Sequence, residues 1–347
     1  MNRSELSFDR PPDRQAVGPP EARGLERDEV RLLVSTSTGH EHARFRDLPR
    51  FLAPGSLLVV NQSATLPASL PAKGRVGPFL LNLSTHFGDG LWLAEPRWTA
   101  SSPGPLPHDP GDRIEVAGLS ARLIAPYPGL GRIWFVRIEG DVDAALARNG
   151  KPIRYAYLDP PFPSIDAYQT VFSELPGSAE MPSAARPFSA RVIAELRASG
   201  IQLAPIVLHT GVSSQEVEVD DVELHPLPPE PFSVPPATAD AVNSARDQGS
   251  PVIAVGTTVV RALESAWDGE RVRPAAGFTR RLVHPGRPLR TIDGLITGLH
   301  DPLARHLAML FAVASRDLIR DAYGEAVREG YLWHEFGDSH LILPAAA

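Results

Sequence analysis

A change in hydrophobic spacing near residue 150 constrains the fold of this chain more than any other feature. From about Thr65 to Gly150, short β-rich runs at 79–83, 91–94, 113–116 and 132–139 are separated by glycine and proline turns. This pattern is typical of a small antiparallel barrel or sandwich. After Gly150, buried strands alternate with helices, which predicts a parallel or mixed sheet with helices packed on it.

Individual elements can be placed on this outline. Strands are predicted at 31–35, 57–60, 203–208 and 252–255, because each is a short apolar run bounded by turn residues. Helices are predicted at 190–198 with Ser189 as the N-cap, at 237–248, at 259–267 with Thr258 as the N-cap, and over 303–329 with one break. Residues 1–28 are polar and proline-rich, and we expect an extended arm there.

Composition excludes several classes of protein. The 347 residues are enough for two domains, and the absence of cysteine excludes disulfides, a cysteine nucleophile and Cys-based metal sites. A net charge of −7 means that any nucleic-acid contact needs a local basic patch. No apolar run reaches the ~18 residues of a membrane helix, and no signal peptide is visible at the N-terminus. We therefore expect a cytoplasmic protein without membrane contact, as a monomer or small homo-oligomer.

The strongest local motif is the run from Val252 to Ser265, a buried strand followed by Gly-Thr-Thr and a helix. Ligands of such sheets bind at the carboxyl ends of strands, and a helix N-terminus offers free N–H groups. Gly256 allows close backbone approach. The alternative is a structural turn whose helix carries a surface ion pair.

Histidines follow two further strand segments. His209 ends the run at 203–208, and His300 follows Leu295 to Leu299. If both strands lie in one sheet, the two imidazoles converge near Gly256; the alternative is that each is structural. His40, His42 and His306 have no metal-site companions in the sequence, and we interpret them as surface residues. We expect no metal site.

A basic cluster lies between 280 and 290. Its members are Arg280, Arg281, His284, Arg287 and Arg290. A solvated loop is one interpretation; the other is a phosphate-contacting patch on an otherwise acidic protein.

Taken in order, these motifs resemble the S-adenosylmethionine:tRNA ribosyltransferase-isomerase (QueA) family of queuosine biosynthesis. The similarity runs nearly from end to end. Its most specific blocks are Tyr168-Gln-Thr-Val171 and Ala254-Val-Gly-Thr-Thr258, the latter followed by Arg261 and Glu264. Further matches are Arg31-Leu-Leu33, Pro54-Gly55 through Asn61, Leu208-His209 with Gly211, His300 and Gly337-Asp338.

The resemblance implies a fold and a reaction. The fold is mixed α/β (α+β), with an α/β catalytic domain made of residues 1–64 and 151–347 and an inserted antiparallel β-barrel domain of residues 65–150. The reaction moves and isomerises the ribosyl part of S-adenosylmethionine onto 7-aminomethyl-7-deazaguanine in tRNA. Epoxyqueuosine forms, and adenine and methionine leave.

Site residues follow from this reaction by resemblance. The sulfonium acidifies the 5′ carbon, and candidates for the base that removes a proton there are His209, His300 and Asp338. A sulfonium also favours an aromatic face or a carboxylate, here Tyr168 or Glu264. The expected S-adenosylmethionine-binding residues are Tyr168, Gln169, Thr170, Gly211, Gly256, Thr257, Thr258, Arg261 and Glu264, with Arg31 and Asn61 as further matched positions.

The chain departs from the family pattern at several polar positions. The family's Asn-Asp-Thr-Arg run is Asn61-Gln-Ser-Ala64, and its Pro-Thr-Ala-Gly-Leu-His-Phe run is Pro182-Ser-Ala-Ala-Arg-Pro-Phe188. Other departures are Val30, Ser69, Ser213-Ser214-Gln215, Pro228, Gly298-Leu299 and Leu303. The loss of a buried hydrogen-bond partner costs about 1–3 kcal/mol, so this many changes indicate a rebuilt pocket.

Three functions are therefore considered. The first is the family reaction on tRNA. The second is the same cleavage of S-adenosylmethionine with a different, small-molecule acceptor. The third is binding of RNA or a nucleoside without turnover.

Overall fold

The computed structural model describes residues 1–212 and 216–343. The departure at Ser213-Ser214-Gln215 lies outside the described residues. Within the described residues, no helix has both the length and the apolar character needed to span a membrane.

The strands and helices are numbered in chain order. The strands are β1 (Arg31–Thr36), β2 (Gly39–Arg44), β3 (Leu57–Asn61), β4 (Ser63–Thr65), β5 (Ser69–Gly74), β6 (Gly77–Gly88), β7 (Leu91–Arg97), β8 (Arg113–Val116), β9 (Leu119–Tyr127), β10 (Leu130–Ile138), β11 (Leu175–Ser178), β12 (Gln202–Leu208), β13 (Glu230–Val234), β14 (Val252–Val255), β15 (Ala275–Thr279), β16 (Gly294–Gly298) and β17 (Ser339–Ile342). The α-helices are α1 (Val142–Asn149), α2 (Ala190–Ala198), α3 (Pro236–Asp247), α4 (Thr257–Ser265), α5 (His306–Val313) and α6 (Arg316–Arg328).

A nine-stranded mixed sheet forms the larger part of the molecule, in the order β15-β13-β12-β3-β14-β16-β17-β1-β2. Strands β12, β3, β14 and β16 are parallel neighbours, so their carboxyl ends share one edge. Along β3, Leu57 and Val59 pack with the helices of one face, whereas Leu58 and Val60 pack with α2 on the other. Burial on both faces explains the unbroken apolar runs of the central strands.

The second unit is a closed antiparallel barrel in the order β10-β7-β6-β5-β8-β9. Its interior is filled by alternate side chains such as Leu70, Leu81 and Val136. The chain segments leading into and out of the barrel run side by side, because Ser69 and Lys151 exchange two backbone hydrogen bonds of 2.9 and 3.0 Å. The predicted fold class is confirmed; the division at 64/65 and 150/151 is our proposal for the domain boundaries.

Most of the predicted elements that frame the site are present, with two corrections near α4 and α5. The predicted cap of α2 is correct, since Ser189 accepts from the Val192 N–H at 3.2 Å. The prediction that Thr258 caps α4 is wrong: the helix begins at Thr257, and Gly256 with φ +96° is its N-cap. The predicted helix over 303–329 begins later and is split into α5 and α6 at Ala314 and Ser315.

The expectation of an extended arm over residues 1–28 is wrong. The segment folds into short 3-10 turns that pack on the C-terminal part of the chain. Leu6 is buried in the main core, and the Ala16 N–H donates to the Trp333 carbonyl at 3.1 Å. Frequent prolines prevent longer helices here but not burial.

Candidate active site

A cleft of about 560 Å³ lies at the carboxyl edge of the central strands, facing the barrel. The turn after β14 and the segment after β16 form its floor. From the barrel unit, Arg97 at the end of β7 lines it, as do Ser101 and Pro103 in the loop that follows β7. The cleft is therefore placed where parallel sheets bind their ligands.

The strand-to-helix turn presents Gly256, Thr257 and Thr258 to the cleft. A Cβ on Gly256 would lie 3.4 Å from the Ala184 Cβ, and its φ of +96° suits glycine alone, so the backbone itself forms this wall. The first N–H groups of α4 are available at this turn. Buried Asn61 supports it, because its Nδ2 donates to the Leu208 carbonyl at 2.8 Å and to Thr258 Oγ1 at 3.3 Å.

His300 lies in the cleft. The Nε2 atom of its ring is 2.9 Å from Thr297 Oγ1, and the ring stacks on His306 with centroids 4.6 Å apart. Its backbone N–H donates to the Tyr323 hydroxyl at 3.1 Å. Burial lowers the pKa of His300 to about 4. The imidazole is neutral at pH 7 and can accept a proton.

His209 lies behind the cleft wall rather than in it. Its Nδ1 is 2.7 Å from Ser63 Oγ, which is itself 2.6 Å from Ser178 Oγ. The ring lies so close to Gly177 that a Cβ there would be 2.5 Å from it. Burial lowers the pKa of His209. We expected both histidines to lie near Gly256; of the two, His300 lines the cleft and His209 does not.

Asp338 is not part of the cleft either. Its carboxylate accepts the backbone N–H of Arg31 and of Leu332, each at 2.8 Å, and so ties the start of β1 to the C-terminal segment. Arg31 donates to the Glu329 carbonyl at 2.6 Å and lies over the Tyr331 ring at 3.8 Å. Both residues connect the start of β1 to the C-terminal segment, and we prefer a base that lines the cleft to Asp338.

The block at Tyr168 also lies outside the cleft. The ring is buried against Phe336, with centroids 5.2 Å apart, and Gln169 pairs with the backbone of Thr65 through contacts of 3.0 and 2.9 Å. The Thr170 hydroxyl accepts from the Phe172 N–H at 3.2 Å within a turn. This block fastens the segment before β11 to β4, and none of its three side chains lines the cleft.

The remaining expected residues divide between the cleft and the loop that follows β15. Arg261 lines the cleft and forms a buried ion pair with Glu230, whose other oxygen accepts from the Gly211 N–H at 2.8 Å. Glu264 is 2% exposed and faces away from the cleft. It accepts from the N–H groups of Arg290 and Thr291 at 2.8 and 3.1 Å, which holds the 280–291 loop in place.

Sequence reasoning missed the acidic and aromatic wall of the cleft. Tyr155 is hydrogen-bonded to Glu180, and Tyr157 stacks on His334 with centroids 4.0 Å apart. Burial raises the pKa of Glu335 to about 8. These residues come from three irregular segments separated in sequence, so no local pattern marks them.

The interpretation of His306 as a surface residue is wrong, because it stacks on His300 inside the cleft. Burial lowers its pKa well below the ordinary value. Arg305 beside it also lines the cleft and was missed. The signal available in the sequence was the position of His306 and Arg305 shortly after the end of β16.

Among residues 1–212 and 216–343, no group of three or more metal-ligating acids and histidines is found.

The basic cluster lies beside a patch of aromatic side chains. Arg280, Arg287 and Arg290 are exposed, and the first two line a depression together with Tyr127, Phe135 and His225. His225 is 5% exposed, and both of its ring nitrogens lack a hydrogen-bond partner among the described residues. The patch continues through Phe87 to Phe278, with ring centroids 5.3 Å apart. We call this set of residues the basic–aromatic surface.

Comparisons with known proteins agree over the whole chain. A family model described as queuosine biosynthesis protein matches residues 3–342. The chain is 38% identical over 350 residues to the S-adenosylmethionine:tRNA ribosyltransferase-isomerase of Rubrobacter xylanophilus, covering 99% of this chain and 98% of the relative. It is 37% identical over 358 residues to the protein of the same name from Moorella thermoacetica, covering 99% and 100%. The crystal structure of an S-adenosylmethionine tRNA ribosyltransferase from Thermotoga maritima superimposes with a TM-score of 0.55 at 26% identity, covering 98% of this chain and all of that one.

Proposed function

We propose a function from one premise: the chain belongs to the S-adenosylmethionine:tRNA ribosyltransferase-isomerase family of queuosine biosynthesis proteins. The enzyme transfers the ribosyl moiety of S-adenosylmethionine to 7-aminomethyl-7-deazaguanine in tRNA and isomerises it, giving epoxyqueuosine, adenine and methionine. The observation that carries this proposal is the family match over residues 3–342.

His300 is the residue we assign as the base. The positive sulfur of the substrate acidifies the 5′ carbon, and a neutral imidazole in the cleft can take that proton. Its low pKa keeps the basic form populated at neutral pH, and its contacts to Thr297 and to His306 fix the plane of the ring. A positioned base of this kind contributes roughly 10²–10⁴-fold to rate.

The nucleoside is assigned to the turn at Gly256. The N–H groups at the start of α4 and the hydroxyls of Thr257 and Thr258 offer donors to the ribose and to the departing adenine. Tyr157 takes the role that the resemblance suggested for Tyr168, since an aromatic face favours a sulfonium. Glu335 beside it does not replace the carboxylate suggested at Glu264, because its raised pKa of about 8 leaves it mostly neutral at pH 7.

The tRNA backbone is assigned to the basic–aromatic surface. Exposed arginines contact phosphates, and an exposed aromatic ring such as Phe278 stacks on an unpaired base. Because the chain carries a net charge of −7, a local patch is needed for any RNA contact, and this surface supplies one.

A small-molecule acceptor is the second candidate, and one observation favours it. Ser183 lines the cleft and stands where the family pattern has threonine, whereas Pro182 and Ala184 beside it match that pattern. The smaller hydroxyl side chain at this one position changes the space at this wall of the cleft.

One assay separates these functions. Labelled S-adenosylmethionine is incubated with the enzyme and with precursor tRNA, a set of small amines, or neither, and adenine and methionine are quantified. Release that requires the tRNA supports the proposed reaction, and the His300→Gln variant should then lose at least 10²-fold in kcat. Release with an amine alone supports the second candidate. Binding without release under either condition supports a non-catalytic relative.

A further inference from the structure

Arg305 is a buried cation of the cleft that pairs with none of the described residues. It lies at the start of α5, is 8% exposed and lines the cleft. Its side chain forms no hydrogen bond or ion pair with any residue of 1–212 or 216–343. Burial of a guanidinium without a partner is costly, so such a residue in a cavity points to a ligand.

The other basic side chains of the cleft are neutralised within the protein. Arg97 pairs with Glu95 at 3.1 Å, Arg261 pairs with Glu230, and His334 pairs with Asp301 at 2.9 Å. Burial and the neighbouring Arg261 lower the pKa of Arg305 to about 10, which leaves it charged at pH 7. Arg305 therefore gives this part of the cleft a positive charge that Glu230 and Glu180 stabilise without forming an ion pair with it.

A second unsatisfied donor lines the same cleft. Thr210 is 8% exposed, and its Oγ1 has no hydrogen-bond partner among the described residues. Glu230, which stabilises the charge of Arg305, accepts from the N–H of Gly211, the residue next to Thr210. Both donors are thus grouped around the Arg261–Glu230 pair.

We propose that Arg305 and Thr210 form an oxyanion subsite of the cleft, which binds a carboxylate or phosphate group of a substrate. The proposal rests on the proposed function, because that function supplies the two possible anions. They are the methionyl carboxylate of S-adenosylmethionine and a phosphate of the tRNA. A guanidinium matches the two oxygens of either group, and the hydroxyl adds one hydrogen bond.

The test measures binding of three probes by calorimetry: S-adenosylmethionine, its decarboxylated analogue and an anticodon stem-loop RNA. The variants are Arg305→Met, which keeps the volume and removes the charge, Arg305→Lys, which keeps the charge, and Thr210→Val. Arg197→Met, at the exposed end of α2, is the matched control for loss of one positive charge.

If the carboxylate is the anion, Arg305→Met weakens binding of S-adenosylmethionine by about 10- to 150-fold, leaves the decarboxylated analogue unchanged, and is partly rescued by Arg305→Lys. If a tRNA phosphate is the anion, the same variant weakens the RNA alone. Equal loss for both nucleosides, or less than about threefold change for all three probes, overturns the subsite. A wild-type enzyme that binds no S-adenosylmethionine counts against the proposed function instead, while the RNA arm still tests Arg305.

Discussion

The low pKa of His300 predicts a specific loss of stability in acid. The ordinary histidine pKa is near 6.5, and burial lowers that of His300 to about 4 in the folded chain. Between these two values the unfolded chain binds more protons than the folded one, so the free energy of unfolding falls as pH falls. Asp301 opposes the shift and His334 adds to it, and burial is the largest cause.

The size of the effect follows from these two values. Linkage gives a loss of about 2 kcal/mol in the free energy of unfolding between pH 7 and pH 5, and about 3 kcal/mol by pH 4. The His300→Gln variant keeps a group able to bond Thr297 and does not titrate. The stability difference between wild type and variant should therefore shift by about 2 kcal/mol over the first interval.

Urea unfolding followed by tryptophan fluorescence, at pH 7 and at pH 5, measures this difference. The matched control is His86→Gln on the barrel, which replaces an exposed histidine outside the cleft. A difference between wild type and His300→Gln that does not change with pH would refute the reasoning about burial. A second readout is the pH profile of kcat/KM, whose acid limb should lie nearer pH 4 than pH 6.5.

Three further predictions concern the turn, the loop and the RNA surface. Gly256→Ala should cost roughly 1–3 kcal/mol of stability and weaken binding of S-adenosylmethionine about tenfold. The control is Gly249→Ala, which is also at positive φ but has open space around it, and which should lower Tm without changing that affinity. Calorimetry measures the affinity, and thermal melts measure Tm. Glu264→Ala should lower the free energy of unfolding by about 3–5 kcal/mol, because it leaves the backbone donors of the 280–291 loop unpaired; a loss under 1 kcal/mol in urea would contradict this role. Affinity for tRNA should fall steeply between 50 and 200 mM salt, and Arg280→Ala with Arg287→Ala should reduce the slope by about 2, whereas a flat salt response argues against RNA binding at this surface.

The residues that match the family pattern include residues that hold the fold together as well as residues that line the cleft. Tyr168 and Gln169 belong to the most specific block, yet they pack on Phe336 and pair with Thr65. A motif marks a required residue without saying whether the requirement is chemical or structural. The contacts of each side chain in the folded chain make that distinction.

Periodicity alone was enough to predict the β-rich segment at 65–150, the alternation of strands and helices after it, the strand β14 and the helix that follows β14. Each of these depends on the spacing of apolar residues within one short segment. Only the tertiary structure decided which histidine faces the cleft, since His209 and His300 both follow buried strands and differ in what packs against them. It also decided the charge balance there: Glu230 neutralises Arg261, and Arg305 is left without a partner among the described residues. Such pairing joins segments far apart in sequence, and no local pattern carries that information.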